Sequence, residues 1–196
     1  MVEAIGVLEL DSIAAGVEVA DAMVKMAPVQ FWDAFMVTPG KYVVLVSGDP
    51  SSVQSSLDAG RAVGSGSVLD SLYIPFLHAQ VLPAVRNAPG PVTLDALGLV
   101  ETTSVASGIQ AADDAAKAAE VVLLHLHLAR GIGGKSILLL TGALHDVQAA
   151  VDASVGRARH TGRLAGMRVI PQPHVDLAAR LAKGLRRAAG EGAEGV

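Results

Sequence analysis

Apolar residues run through positions 4–10 and stop at the polar pair Asp11 and Ser12, which predicts a first strand. Beyond it Ile13, Val17, Ala20, Met23, Val24 and Ala27 recur at helical spacing, with Ser12 placed to cap the helix and Pro28 to stop it. Lys25 falls on or near the opposite face. Segments 29–37 and 41–47 read as two strands joined by a turn at Thr38, Pro39 and Gly40, an antiparallel hairpin. After a break at Gly48, Asp49 and Pro50, a second helix is predicted from Ser51 or Ser52 through Val53, Leu57 and Val63. A strand over 69–74 closes the unit before Pro75, so the predicted order is βαββαβ.

The second half of the chain repeats this pattern. With a constant offset of 92 residues, Ile5, Gly6 and Glu9 return as Leu97, Gly98 and Glu101, and Ser12, Gly16, Asp21 and Lys25 return as Ser104, Gly108, Asp113 and Lys117. After a two-residue slip, Gly40 and Lys41 match Gly134 and Lys135, and Gly48 matches Gly142. The second unit is predicted as a strand over 96–101, a helix over 104–119, a hairpin over 121–141 turning at 131–134, a helix over 144–160 and a strand over 166–170. A short helix over about 176–187 follows, and the Gly-rich end from Gly190 is predicted to be disordered. A repeat of this length can own a core, which points to two fused domains of α+β class rather than a short-period solenoid. Each is expected to be a four-stranded antiparallel sheet with two helices on one face. The expected limits are 1–88 for the first domain, 89–95 for a Pro-rich linker, 96–182 for the second domain and 183–196 for the helix end and tail. Two similar domains in one chain suit a ring that imitates one with twice as many subunits.

Composition narrows the function classes. Half of the residues are hydrophobic (51%) but only 3% are aromatic, and no apolar run approaches the roughly 18 to 20 residues of a bilayer span. No membrane partner is expected. The start, Met1, Val2, Glu3 and Ala4, lacks a basic segment followed by an apolar one, so a cytoplasmic location is expected. The absence of cysteine excludes disulfides, thiolate nucleophiles and cysteine-held zinc or iron–sulfur sites. With a net charge of −4 and scattered basic residues, no nucleic-acid groove is expected. Arg180, Lys183, Arg186 and Arg187 form one basic cluster, read as a solvated helix face.

Motifs that could carry chemistry are few. Gly134, Lys135 and Ser136 invite a phosphate-loop reading, but the leading glycine is Ala129 and a strand, not a helix, follows. His125 and His127 lie two apart on a predicted strand and share a face. No third ligand is evident, so no metal is assigned; His127 is kept as a secondary candidate for its closeness to the turn. Gly64, Ser65, Gly66 and Ser67 lack the spacing of a nucleophile elbow. Glu9 and Glu101 are repeated but need not face each other, so no acid–base pair and no catalytic residue is nominated.

The run from Ile5 to Glu9, the helix with Asp21 and Lys25, the turn at Thr38, Pro39, Gly40 and Lys41, and the end Ile170, Pro171, Gln172, Pro173 and His174 resemble bacterial microcompartment shell domains. The likeness covers both repeats and is greatest to the tandem-domain shell proteins of propanediol-utilisation type, which form flat trimers with a hexagonal outline. Cluster-bearing members have a cysteine just before the Pro-Gly-Lys turn; this chain has Thr38, and a hydroxyl is a poor iron–sulfur ligand, so no cofactor is expected. The resemblance implies a pore rim of Thr38, Pro39 and Gly40 alternating with Ile132, Gly133 and Gly134. Spacing alone makes these ordinary hairpin turns, though Gly and Pro do let backbone pass close to an axis. The resemblance further implies tile-edge contacts at Lys25, Lys117, His78, Gln172 and His174, with Gln172 in place of the family's usual arginine.

The function expected is therefore a structural, non-enzymatic shell protein in a cytoplasmic microcompartment. It would form a homotrimer, partner other shell proteins (hexamers and pentamers) and encapsulated enzymes, and pass small polar metabolites or cofactors through its pore. The alternative is a regulatory oligomer that binds a small molecule on the same α+β architecture.

Overall fold

The computed structural model describes residues 4–86, 94–177 and 180–181. Its elements are β1 (Ala4–Leu10), α1 (Ile13–Met26), β2 (Gln30–Val37), β3 (Lys41–Gly48), α2 (Pro50–Val63), β4 (Val68–Ile74) and α3 (Val81–Val85), then β5 (Ala96–Thr102), α4 (Val105–Ala118), β6 (Val122–Leu128), β7 (Ser136–Gly142), α5 (Leu144–His160) and β8 (Leu164–Ile170). Two four-stranded antiparallel sheets result, ordered β2-β3-β1-β4 and β6-β7-β5-β8. Residues 89–93 of the expected linker and the tail with Lys183, Arg186 and Arg187 lie outside the described residues.

Alternation along the strands sets the two faces of each sheet. In the first, Leu8, Leu10, Val44 and Val46 pack with Val19 and Met23 of α1 and Val53 and Leu57 of α2. The helices come close to the sheet because Gly6 has no side chain: a Cβ there would meet Leu57 and Val53 at 2.9 Å. Gly98 serves the same purpose beneath α5, where a Cβ would meet Leu140 at 2.7 Å and Val151 at 2.8 Å. Buried Ser56 donates from Oγ to the Met23 carbonyl at 2.9 Å and ties α2 to α1.

The helix starts reflect local chemistry. Ser12 accepts from Ala15 N and Ser104 from Ser107 N, matched N-caps of α1 and α4. The predicted second helix begins at Pro50 instead of after it. Asp49 is the cap, its Oδ1 accepting from Ser51 N and Ser52 N at 3.1 Å each, and Pro50 occupies the first turn, where its missing N–H leaves no bond unmade. Helix α3 was not predicted; five residues are too few for a readable period and one of them is Pro83. Both second strands carry a bulge at matched places, between Phe31 and Asp33 and between Leu123 and His125.

The main core is continuous across the two domains. Val7, Leu45, Leu72 and Ile74 of the first pack into the same cluster as Val105, Ile109, Ala112 and Leu126 of the second, with Val81 and Ala84 of α3 between. Gln80, at the start of α3, satisfies the free edge of β6: its Nε2 donates to Val121 O at 3.0 Å and its Oε1 accepts from Leu123 N at 2.9 Å. By contact, then, the end of the first repeat belongs to the sheet of the second.

Candidate functional site: the domain junction and its paired turns

The turns that join β2 to β3 and β6 to β7 lie side by side. Gly134 is buried, and a Cβ on it would come within 2.7 Å of the Thr38 carbonyl oxygen and 3.8 Å of Lys41 Nζ. Thr38, Pro39, Gly40 and Gly133 are exposed, and Ile132 is partly so. Gly131, Gly133 and Gly134 all have positive φ (72°, 69° and 80°), a conformation that side chains rarely adopt and that tightens this longer turn. Ser136 then begins strand β7, which removes the helix a phosphate loop requires. From the same turn Arg130 reaches into the first domain. Its Nη2 lies 2.5 Å from Asp33 Oδ2, and its guanidinium stacks 3.9 Å above the Phe35 ring.

Behind the turns, Glu9 is fully buried yet paired. Its Oε1 accepts from Lys41 Nζ at 2.8 Å and its Oε2 from Val105 N at 2.8 Å, while Lys41 also donates to Thr103 O at 3.3 Å. A carboxylate of one domain thus caps the first turn of a helix in the other, where the helix dipole favours negative charge. Asp70 adds to the same end: Oδ2 accepts from Ser104 Oγ at 2.5 Å and Ser107 Oγ at 3.3 Å, with Arg163 Nε at 3.6 Å. Arg163 in turn donates from Nη2 to Leu69 O at 2.6 Å. Among the described residues Glu101, the repeat of Glu9, pairs with Lys135 alone, at 3.2 Å in a half-exposed pair. Glu9 and Glu101 therefore do separate jobs.

On α4, Lys117 Nζ donates to Phe76 O at 2.7 Å and to Asp113 Oδ2 at 2.5 Å, and Asp113 Oδ1 accepts from His78 N at 2.8 Å. Lys117 and the His78 backbone thus meet across the domain junction. Among the described residues their repeats stay apart: Lys25 pairs with Asp21 on its own exposed helix face, and Gln172 and His174 are exposed. Asp113, Asp70 and Gln80 were not singled out from the sequence. Asp113 shared the repeated spacing with Lys117, a signal that was present; Asp70 and Gln80 have no like residue in the other repeat, since Gly166 and Asp176 hold those places.

His125 and His127 lie on β6 beside the turn, with ring centroids 5.7 Å apart. Burial and the neighbouring His127 push His125 down to about 4, and burial with the Arg130 charge pushes His127 down, so both rings are neutral at pH 7.

The comparisons with known proteins agree with this architecture. The BMC domain family matches residues 4–77 and 96–173. The shell protein PduT of Citrobacter freundii is 40% identical over 184 residues, covering 94% of this chain and all of that protein. PduA of the same organism, 38% identical over 92 residues, covers 46% of this chain and 96% of its own length, a single repeat. A microcompartment protein from Desulfitobacterium hafniense DCB superposes with a TM-score of 0.82 at 46% identity, covering 91% of this chain and 99% of its own. The fused permuted hexameric shell protein MSM0275 shares the fold alone, with a TM-score of 0.59 at 24% identity over 78% of this chain and 81% of its own. With both repeats matched and a full-length relative at this identity, the chain belongs to the BMC-domain family of bacterial microcompartment shell proteins, with two BMC domains in tandem.

Proposed function

We propose that this protein is a passive tile of the shell: three copies close head to tail into a flat ring of six domains, which packs edge to edge with other shell proteins around enzymes. The observation that carries this reading is the unoccupied twin of the domain junction. Within the chain, the β4 end of the first domain meets α4 and β6 of the second. The matching surfaces are α1 with β2 at one side of the molecule and the β8 end at the other, and both are apolar and open. Ile13, Val17, Val24 and Phe31 are exposed on the first, Val175 and Leu177 on the second. Leu177 follows Ile170 at the spacing by which Val81 follows Ile74, and Val81 is fully buried against the second domain. Surfaces that fit within one copy fit between copies, and a head-to-tail contact whose rotation closes makes a ring. Glu101 and Lys135 would then stand at the start of the next copy's α1 as Glu9 and Lys41 stand at α4.

In that ring Thr38, Pro39 and Gly40 alternate around the axis with the turn of Ile132, Gly133 and Gly134, where Ile132 and Gly133 face the opening and buried Gly134 backs the rim against Thr38. Small polar metabolites or cofactors cross there, selected by aperture, by the Thr38 hydroxyls and by backbone dipoles. Lys25, Lys117, His78, Gln172 and His174 lie at the edges that neighbouring tiles contact. The turn contact between Thr38 and Gly134 supports the shared rim, because it brings one member of each turn together within a single chain. Electron microscopy of purified protein tests the ring, with flat three-copy particles expected and compact monomers counting against it. Thr38→Trp tests the pore: solute entry into reconstituted shells should fall several-fold, and unchanged entry removes the pore assignment.

A further inference from the structure

The His125 and His127 pair is left unused by the shell reading. The two residues share one face of β6, opposite α4 and α5, with ring planes at 63°. Nδ1 of each ring is buried and has no hydrogen-bond partner among the described residues. A neutral imidazole has one N–H and one lone pair, so each buried nitrogen lacks an acceptor or a donor. Buried polar atoms are nearly always paired in native proteins, and two orphans on adjacent rings call for a common cause. The first domain shows how the same place is filled when nothing is missing: its matched residues are Asp33 and Phe35, and Arg130 closes over both.

We propose that His125 and His127 together bind a divalent transition-metal ion of the zinc class, each ring giving one nitrogen, with water or a ligand atom of a passing solute in the remaining positions. Both rings are held in the neutral form that ligates metals at pH 7. The nearby Arg130 charge is taken up by Asp33, and Glu101 lies two strands away in the same cross-strand row, paired with Lys135. Among the described residues no group of three or more His, Asp or Glu side chains is placed to hold a metal ion. The site is therefore a two-ligand, exchangeable one, unlike the closed four-ligand sites of structural zinc. It is internal to one chain and does not depend on the ring.

Zinc chloride titrated into the purified full-length protein, followed by calorimetry and by imidazole proton resonances, tests this. About one ion per chain is expected, with shifts at His125 and His127 and affinity weakened roughly tenfold or more in His125→Asn and in His127→Asn. His145→Asn should leave the affinity unchanged. Zinc affinity that survives both strand variants, placing the ion on surface pairs such as His145 with Asp146 or His174 with Asp176, overturns the site. Should the variants fail to fold, resonances of the unaltered protein decide: unmoved His125 and His127 signals at saturating zinc overturn it equally.

Discussion

Helices α1 and α4 occupy the same place in their domains and begin with the same serine cap, yet their outer faces differ completely. Ile13 and Val17 are 38% and 55% exposed, whereas their repeats Val105 and Ile109 are 0% and 1% exposed. Asp21 is open where Asp113 is buried and accepts from the backbone of the other domain. Sequence type is nearly constant across these pairs, so the difference comes from what stands opposite. The α4 face has the first domain against it; the α1 face has nothing against it among the described residues. Apolar residues spaced along an open helix face, with buried twins, mark a surface shaped for a neighbour.

The sharpest way to break this comparison is to place a charge on each helix. Ile109→Asp puts an unpaired carboxylate into the continuous core and should cost roughly 4 kcal/mol or more of folding stability, read by denaturant unfolding. Val17→Asp should cost below about 0.5 kcal/mol in the isolated chain, as exposed substitutions do. Its effect should instead appear in mass, shifting light-scattering readings from three copies to one. If Val17→Asp particles keep the mass of the unaltered protein, the open face is not the ring contact.

The two repeated glutamates sharpen the comparison at a polar site. Glu9→Ala strands the mostly buried Lys41 ammonium and leaves Val105 N without its acceptor, a loss of about 2–4 kcal/mol. Glu101→Ala removes a half-exposed pair and should change the stability of the single chain by about 0–1 kcal/mol. Where the ring forms, Glu101→Ala should weaken it, since Glu101 then stands at a helix start as Glu9 does. Equal losses from the two variants in the monomeric state would mean that the junction contributes nothing special at Glu9.

These contrasts also indicate what the sequence could reveal. Strand and helix limits were readable within a residue or two, because Pro28, Gly48 and Pro75 punctuate runs of β-branched and aliphatic residues, and because Gly48 and Pro75 return as Gly142 and Pro171. Strand 69–74 was found as Val68–Ile74, and the helix expected to stop at Pro28 ends at Met26. What escaped detection depends on facing surfaces. Nothing in the residues around Glu9 says that its carboxylate reaches Val105, 96 positions away, or that Gln80 completes the edge of β6. Such partners are set by how one domain docks on the other, which local propensity does not encode. The spacing of His125 and His127 is plain in the sequence, but that their buried nitrogens lack partners among the described residues follows from the packing around β6.

The smallest expected effect lies at the second helix of each domain, where Asp49 caps α2 and the matched Ala143 gives α5 no side-chain cap. Hydrogen bonds from Ser52 and Ser51 hold the Asp49 carboxyl at about 2, below its ordinary 3.8. A carboxyl lowered on folding stabilises fully above its unfolded value and loses that contribution as pH falls from about 3.8 through 2. Asp49→Ala should therefore lower the melting temperature at pH 7 and narrow its gap from the unaltered protein as the pH drops through that window. Ala143→Asp should do the reverse, adding about 0.5–1 kcal/mol at pH 7. Its backbone already has the extended ψ of 146° that a cap requires, so only the acceptor is missing. A gain at Ala143 that persisted unchanged to pH 2 would show that the new side chain acts by something other than its ionised carboxylate.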